Sequence, residues 1–236
     1  MRTNLHLRKS LAWLVHIFTA SGIVAGFMAI LAINSENWRL AMLWLLIALF
    51  IDGVDGTFAR LVKVNEVLPE INGKYIDYVV DFLNYAIVPA YFFYFSGMVS
   101  GDMNLICVIV ILLVSAVYYG RSSMVTEDMY FIGFPVLWNF VIFFMFFIFE
   151  AGQVINIILI FFFAILHFSP IKFAYPSRKT RFQKLDLFFA ALMFVGIGLS
   201  VYLFPAIPGY LRIIISIVAT YFMVMSVIVG KLKNKH

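Results

Sequence analysis

One cysteine, Cys107, is present in 236 residues, which excludes a disulfide-stapled scaffold. Charge is scarce as well. Asp, Glu, Lys and Arg together make up 12% of the chain, about half the share found in a soluble domain. Apolar residues fill the gap at 64% of the sequence, and the mean hydropathy is +1.01. This composition excludes a disordered chain and an ordinary soluble enzyme, leaving an integral membrane protein. Short alternating segments of the kind that build a lipid-embedded β-barrel are lacking, and long apolar runs stand in their place. The fold class expected is therefore all-α. The 27 phenylalanines suit lipid-facing and interfacial surface. A formal charge of +5 is not a nucleic-acid signature in such a chain, and no nucleic-acid partner is expected.

A helix crosses about 30 Å of hydrocarbon with roughly 20 apolar residues. Eight runs fit, near 11–33, 40–60, 75–96, 103–120, 132–149, 153–169, 186–204 and 209–230. Residues 1–10, with Arg2, Arg8 and Lys9, read as a short cytoplasmic or interfacial segment. The run behind them is too long for a signal peptide and lacks a small-residue cleavage site, so it reads as a retained first helix. Eight crossings put both termini on one side. That side receives fifteen of the 17 Lys and Arg residues, and the other only Arg39 and Arg212. Such a bias predicts cytoplasmic N- and C-termini. Internal repeats, low-complexity tracts and long linkers are all missing. Residues 1–236 are thus expected to form a single membrane domain, one bundle of about eight helices.

Of twelve acidic residues, most fall in short loops. Glu36, Asp102, Glu150, Asp186 and the pair Glu127 and Asp128 read as solvated positions. Four others sit in apolar surroundings: Asp52 and Asp55 near the end of the second run, Asp77 and Asp81 at the start of the third. A carboxylate at membrane depth costs about 2.5–3.5 kcal/mol on the insertion scale, so it is ordinarily paired, metal-bound or functional. At about 100° per residue, Asp52, Asp55, Gly56 and Ala59 share an arc, with Arg60 at its edge. Gly73, Asp77 and Asp81 share a face of the next helix. A cytoplasmic loop makes the two helices antiparallel neighbours, so their acids can meet. Facing carboxylates repel one another, and hard divalent cations such as Mg2+ or Mn2+ resolve the conflict. No His or Cys joins the group, which argues against zinc. Two cations bridged by carboxylates suit in-line displacement at phosphorus. Gly53, Gly56, Ala59 and Gly73 leave room for a nucleotide diphosphate, and Arg60 offers a fork for phosphate. Helix packing accounts for any one of these small residues. It does not account for four acids with an arginine on facing helices.

The region 49–81 is similar to the signature of the CDP-alcohol phosphatidyltransferases, D-x-x-D-G-x-x-A-R and then G-x-x-x-D-x-x-x-D. Asp52, Asp55, Gly56, Ala59 and Arg60 fill the first part, and Gly73, Asp77 and Asp81 the second. The gap of twelve residues, 61–72, is longer than is usual in that family and resembles the bacterial phosphatidylcholine synthases. So do His16–Gly22, Phe50–Thr57, and Gly133-Phe134-Pro135 followed by Trp138-Asn139. The likeness covers most of the chain, most densely 13–92.

This resemblance implies transfer of the phosphatidyl group of CDP-diacylglycerol to the choline hydroxyl, giving phosphatidylcholine and CMP. It implies two divalent cations, Mn2+ or Mg2+, on Asp52, Asp55, Asp77 and Asp81, with Asp81 also the catalytic base. Asp55, Gly56, Ala59, Arg60 and Gly73 would line the CDP and diphosphate pocket, with Thr19 at its border. A homodimer is implied, in a bacterial inner membrane with the site facing the cytoplasm. Serine, inositol or glycerol phosphate are the alternative acceptors within the family. From a different class, a cation-coupled transporter would spread its acids through the bilayer or repeat them in a second half. Here they cluster near one face.

A quaternary ammonium such as choline offers no hydrogen-bond donor and needs aromatic faces with a nearby carboxylate. Tyr75, Tyr78, Tyr118, Tyr119, Tyr130 and Trp138 are candidates, with Glu127 or Asp128 as the charge. An interfacial aromatic belt is the plainer reading of each. Arg121, at the end of the fourth run, is a candidate phosphate contact. The cluster Lys172, Arg178, Lys179 and Arg181 reads as a topology and anionic-lipid determinant. His16 reads as an interhelical hydrogen-bonder, Cys107 as packing, and His167 has no assigned role.

Overall fold

A computed structural model describes residues 2–122, 124–127, 130–173 and 182–233. The chain is an all-α membrane protein whose described residues form two compact units, Met1–Val88 and Pro89–His236.

In the first unit α1 (Arg2–Asn34) runs without a break for 33 residues, about 50 Å at 1.5 Å per residue. Residues 2–10 therefore form the first turns of this helix. Asn37 caps α2 (Trp38–Val62), its side-chain oxygen accepting from Leu40 N–H at 3.1 Å. Lys63, in the left-handed conformation (φ 56°), ends that helix. The stretch 61–72 is not an open loop. It folds a short α3 (Val64–Val67), and Val64, Val67 and Leu68 are buried with Ala12 and Val15 of α1. Asn72 then caps α4 (Gly73–Phe82) through its side-chain oxygen, which accepts from Lys74 N–H at 3.1 Å. α4 continues through a π-helical turn, Leu83–Ile87, into α5 (Val88–Phe95).

Small residues on α1 set how closely these helices pack. A Cβ at Gly22 would lie 2.6 Å from Val80 Cγ1, and one at Gly26 2.5 Å from Asn84 Oδ1. The pair forms the G-x-x-x-G spacing that lets membrane helices approach. Asn84 uses the contact: its Nδ2 donates to the Gly22 and Val80 carbonyls, both at 3.0 Å.

The second unit holds α6 (Asp102–Tyr119), β1 (Phe131–Ile132), α7 (Trp138–Phe143) with a π-helical continuation Phe144–Phe149, α8 (Gln153–Leu166), β2 (Lys172–Phe173), α9 (Gln183–Leu203) and α10 (Gly209–Lys233). Among the described residues, six helices are long and apolar enough to cross a membrane. Trp138–Phe149 and Gln153–Leu166 occupy the fifth and sixth expected places but are shorter. Gly133 and Pro135 explain the late start of the first. Gly133 has φ 79°, and a Cβ there would sit 1.9 Å from the His167 carbonyl oxygen, so the chain turns where a helix was expected. β1 and β2 pair antiparallel, Phe131 opposite Phe173 and Ile132 opposite Lys172. The short helix pair therefore leaves and returns on one side. At its other end Arg212 of α10 pairs with Glu150 and donates through Nη1 to the Ile148 carbonyl at 2.6 Å. Cys107 is buried, as packing requires.

One acid is not where the solvated reading put it. Asp186 lies in the first turn of α9 and is 2% exposed. Tyr221 of α10 donates to its Oδ1 at 2.7 Å and stacks on Phe189, ring centroids 4.0 Å apart. α9 begins three residues before the apolar run, so Asp186 enters the helix, where the N-terminal dipole favours a negative charge.

Candidate active site

α2 carries Asp52 and Asp55 one turn apart, and α4, started by its Asn72 cap, carries Asp77. Oxygens from these three carboxylates lie within 4.8 Å of one another. They form the only group of three or more potential ligands among the described residues. Such a cluster of oxygen donors fits a hard divalent cation bridging two helices. Asp81 follows Asp77 by one turn and is half-buried, outside this trio.

Each α2 acid is held by a hydroxyl from another helix. Thr19 of α1 donates to Asp55, which is 6% exposed. Tyr85, 4% exposed in the π-helical turn, donates to Asp52 Oδ2 at 2.7 Å. Tyr85 was not singled out from the sequence. Its signal is nonetheless there, because Gly73, Asp77, Asp81 and Tyr85 recur at every fourth position.

The small residues divide into two sets. A Cβ at Gly53 would meet no described atom within 4 Å, and one at Gly56 only Arg60 Nη1, at 3.3 Å. Ala59 packs on the α1–α3 cluster, and Gly73 on the His16 ring, 3.0 Å from Cε1 to an added Cβ. His16 is buried and its Nε2 finds no hydrogen-bond partner among the described residues, so this nitrogen does not make the interhelical bond expected of it. The exposed Arg60 guanidinium is steadied by Nη2 donating to Thr57 Oγ1 at 3.0 Å.

The aromatic candidates divide between the two units. In the first unit Tyr75 is 68% exposed, and the Lys74 ammonium stands 5.2 Å from the Tyr78 ring centroid. In the second, Tyr118 and Trp138 are buried around His167. Trp138 stacks on that imidazole with centroids 5.1 Å apart, and Tyr118 meets it edge-on at 5.6 Å. Trp138 Nε1 donates to Ser115 Oγ at 2.9 Å. Tyr119 is half-buried, Tyr130 buried and Glu127 exposed. Arg121 donates through Nη1 to the carbonyls of His167 and Ile132, at 3.3 and 3.4 Å. Asp128, Arg178, Lys179 and Arg181 lie outside the described residues.

No protein-family model matches the chain. Curated relatives do. It is 43% identical over 178 residues to a phosphatidylcholine synthase of Borreliella burgdorferi, covering 75% of each chain. The phosphatidylcholine synthase of Brucella melitensis is 34% identical over 210 residues, 89% of this chain and 76% of the relative. That of Pseudomonas aeruginosa is 34% identical over 200 residues, 85% and 84% of the two chains. With the acid trio on paired helices and identities of this size over most of both chains, the protein belongs to the bacterial phosphatidylcholine synthase family.

Proposed function

We propose that the chain transfers the phosphatidyl group of CDP-diacylglycerol to the hydroxyl of choline. The new bond joins the choline oxygen to the phosphatidyl phosphorus, the diphosphate P–O bond to the leaving group breaks, and CMP departs. Asp81 takes the hydroxyl proton. The observation that carries this reading is the meeting of Asp52, Asp55 and Asp77 from two helices within 4.8 Å. Together with Asp81 they would hold two Mg2+ or Mn2+ ions. Held by these residues, such ions would neutralise diphosphate charge and favour in-line displacement at phosphorus. Asp81, one turn beyond Asp77 on α4, is the base, and a base in reach of the hydroxyl is what the step needs.

Gly53 and Gly56, which meet little of the protein, give the donor diphosphate access to the α2 backbone. Arg60, Gly73 and Thr19 border the same pocket; Arg121, in the second unit, is the candidate phosphate contact there, although its Nη1 already donates to the His167 and Ile132 carbonyls. A choline headgroup calls for aromatic faces and a carboxylate: Tyr75 and Tyr78 are the candidates in the first unit, Tyr119, Tyr130 and Glu127 those in the second, while Tyr118 and Trp138 are taken up by His167. The basic-residue bias supports cytoplasmic termini and a site facing the cytoplasm of a bacterial inner membrane. Counting the short helix pair as two crossings or as one re-entrant hairpin leaves that parity unchanged. The family resemblance supports a homodimer in which each chain forms one membrane domain.

Purified protein in lipid nanodiscs, given CDP-diacylglycerol and labelled choline, serine, inositol and glycerol phosphate in parallel, tests the acceptor. Label should enter lipid from choline, with release of CMP. Preferential incorporation of another acceptor refutes the choline assignment, and no incorporation from any of them refutes phosphatidyl transfer.

A further inference from the structure

The π-helical turn at Leu83–Ile87 has a local cause. A proline at position 89 has no N–H to give the Tyr85 carbonyl, and its ring would press on that oxygen in a regular α-helix. The helix widens instead: Val88 N–H reaches back to the Leu83 carbonyl, five residues away. A π-helical turn rotates less per residue than an α-helical one. Residues at every fourth position of an α-helix drift around the axis by about 40° each time. The wider turn offsets that drift, so Tyr85 stays on the face of Asp77 and Asp81 and reaches across to Asp52. Asn84, its neighbour, secures the turn from the other side through the Gly22 and Val80 carbonyls.

We infer that Tyr85 is a positioning residue for the metal centre, its hydroxyl fixing the Asp52 carboxylate so that the remaining oxygen is presented to the cation. This rests on the metal reading above and extends it to a residue outside the signature. The chemistry is general. A ligating carboxylate fixed by a hydrogen bond loses less freedom on binding, and removal of such a partner typically weakens metal affinity 10–100-fold. Tyr85 does not touch the reacting atoms, so its effect lies in metal affinity and falls away once metal saturates.

Mn2+ titration of purified wild type, Tyr85→Phe, Tyr221→Phe and Asp52→Asn in nanodiscs, read by the paramagnetic resonance signal of free Mn2+, tests this. Thermal melts without metal are run beside it. Tyr85→Phe keeps the ring and loses only the hydroxyl. It should raise the apparent Kd for Mn2+ at least tenfold, and turnover should recover at high Mn2+. Tyr221→Phe loses the equivalent bond to Asp186 and should bind Mn2+ as wild type does. A Tyr85→Phe curve that superimposes on wild type overturns the inference. An equal weakening in Tyr221→Phe also overturns it, by showing general loosening. If Asp52→Asn binds Mn2+ normally, the metal reading itself fails. If Asp52→Asn is impaired and Tyr85→Phe is not, only the positioning role fails.

Discussion

Residues 1–88 and 89–236 each contain an aspartate that accepts a tyrosine hydroxyl at 2.7 Å: Asp52 from Tyr85, and Asp186 from Tyr221. The bonds are alike and their surroundings are not. Asp52 stands with Asp55 and Asp77 in the one described group of three potential ligands. Asp186 stands among rings, with Tyr221 stacked on Phe189. A buried acid with a tyrosine partner is therefore no sign of chemistry by itself. What marks the first unit is that two helices bring like charges together, an arrangement that membrane depth penalises unless cations share it. In the second unit the same bond fastens α10 to the start of α9.

The comparison breaks most decisively at Asp81. Asp81→Asn should lower turnover by about 10²–10⁴-fold, the usual worth of a general base, while nucleotide binding and thermal stability persist. Near-normal turnover in steady-state assays would remove Asp81 from the base role. Substitutions at glycine sharpen the contrast in a different way. Gly133→Ala would drive a methyl group into the His167 carbonyl at a positive φ. It should cost about 4 kcal/mol or more, in the range kept for severe backbone conflicts. Gly53→Ala meets nothing within 4 Å. It should leave the melt within a degree or two, or raise it slightly, while KM for CDP-diacylglycerol rises because the space belongs to the donor. An unchanged KM would return Gly53 to plain helix surface.

Much of the first unit is legible in the sequence. Charges in an apolar run are conspicuous, and the spacings Asp52–Asp55 and Gly73–Asp77–Asp81 already place them on single helix faces. Helix positions along the chain follow from hydropathy for the same reason, since lipid imposes one rule on every span. Features that depend on a neighbour's shape were less visible. Val64 and Val67 look like any loop valines until α1 offers Ala12 and Val15 to cover them. Asp186 looks solvated because its partner, Tyr221, lies 35 residues away. The non-helical stretch at 131–137 was hidden in an apolar run, although Gly133 and Pro135 are the residues that forbid a helix there. Tyr85 was overlooked because a tyrosine in a membrane helix carries no charge to draw the eye, and its role depends on a turn widened before Pro89.

The central claim is that α2 and α4 hold the cation together. Mn2+ titration of Asp77→Asn against wild type addresses it most directly, because this variant leaves both α2 acids in place. Loss of high-affinity Mn2+ binding, with the metal-free melt preserved, is the result expected of a centre shared between the helices. Mn2+ binding as tight in Asp77→Asn as in wild type would contradict it.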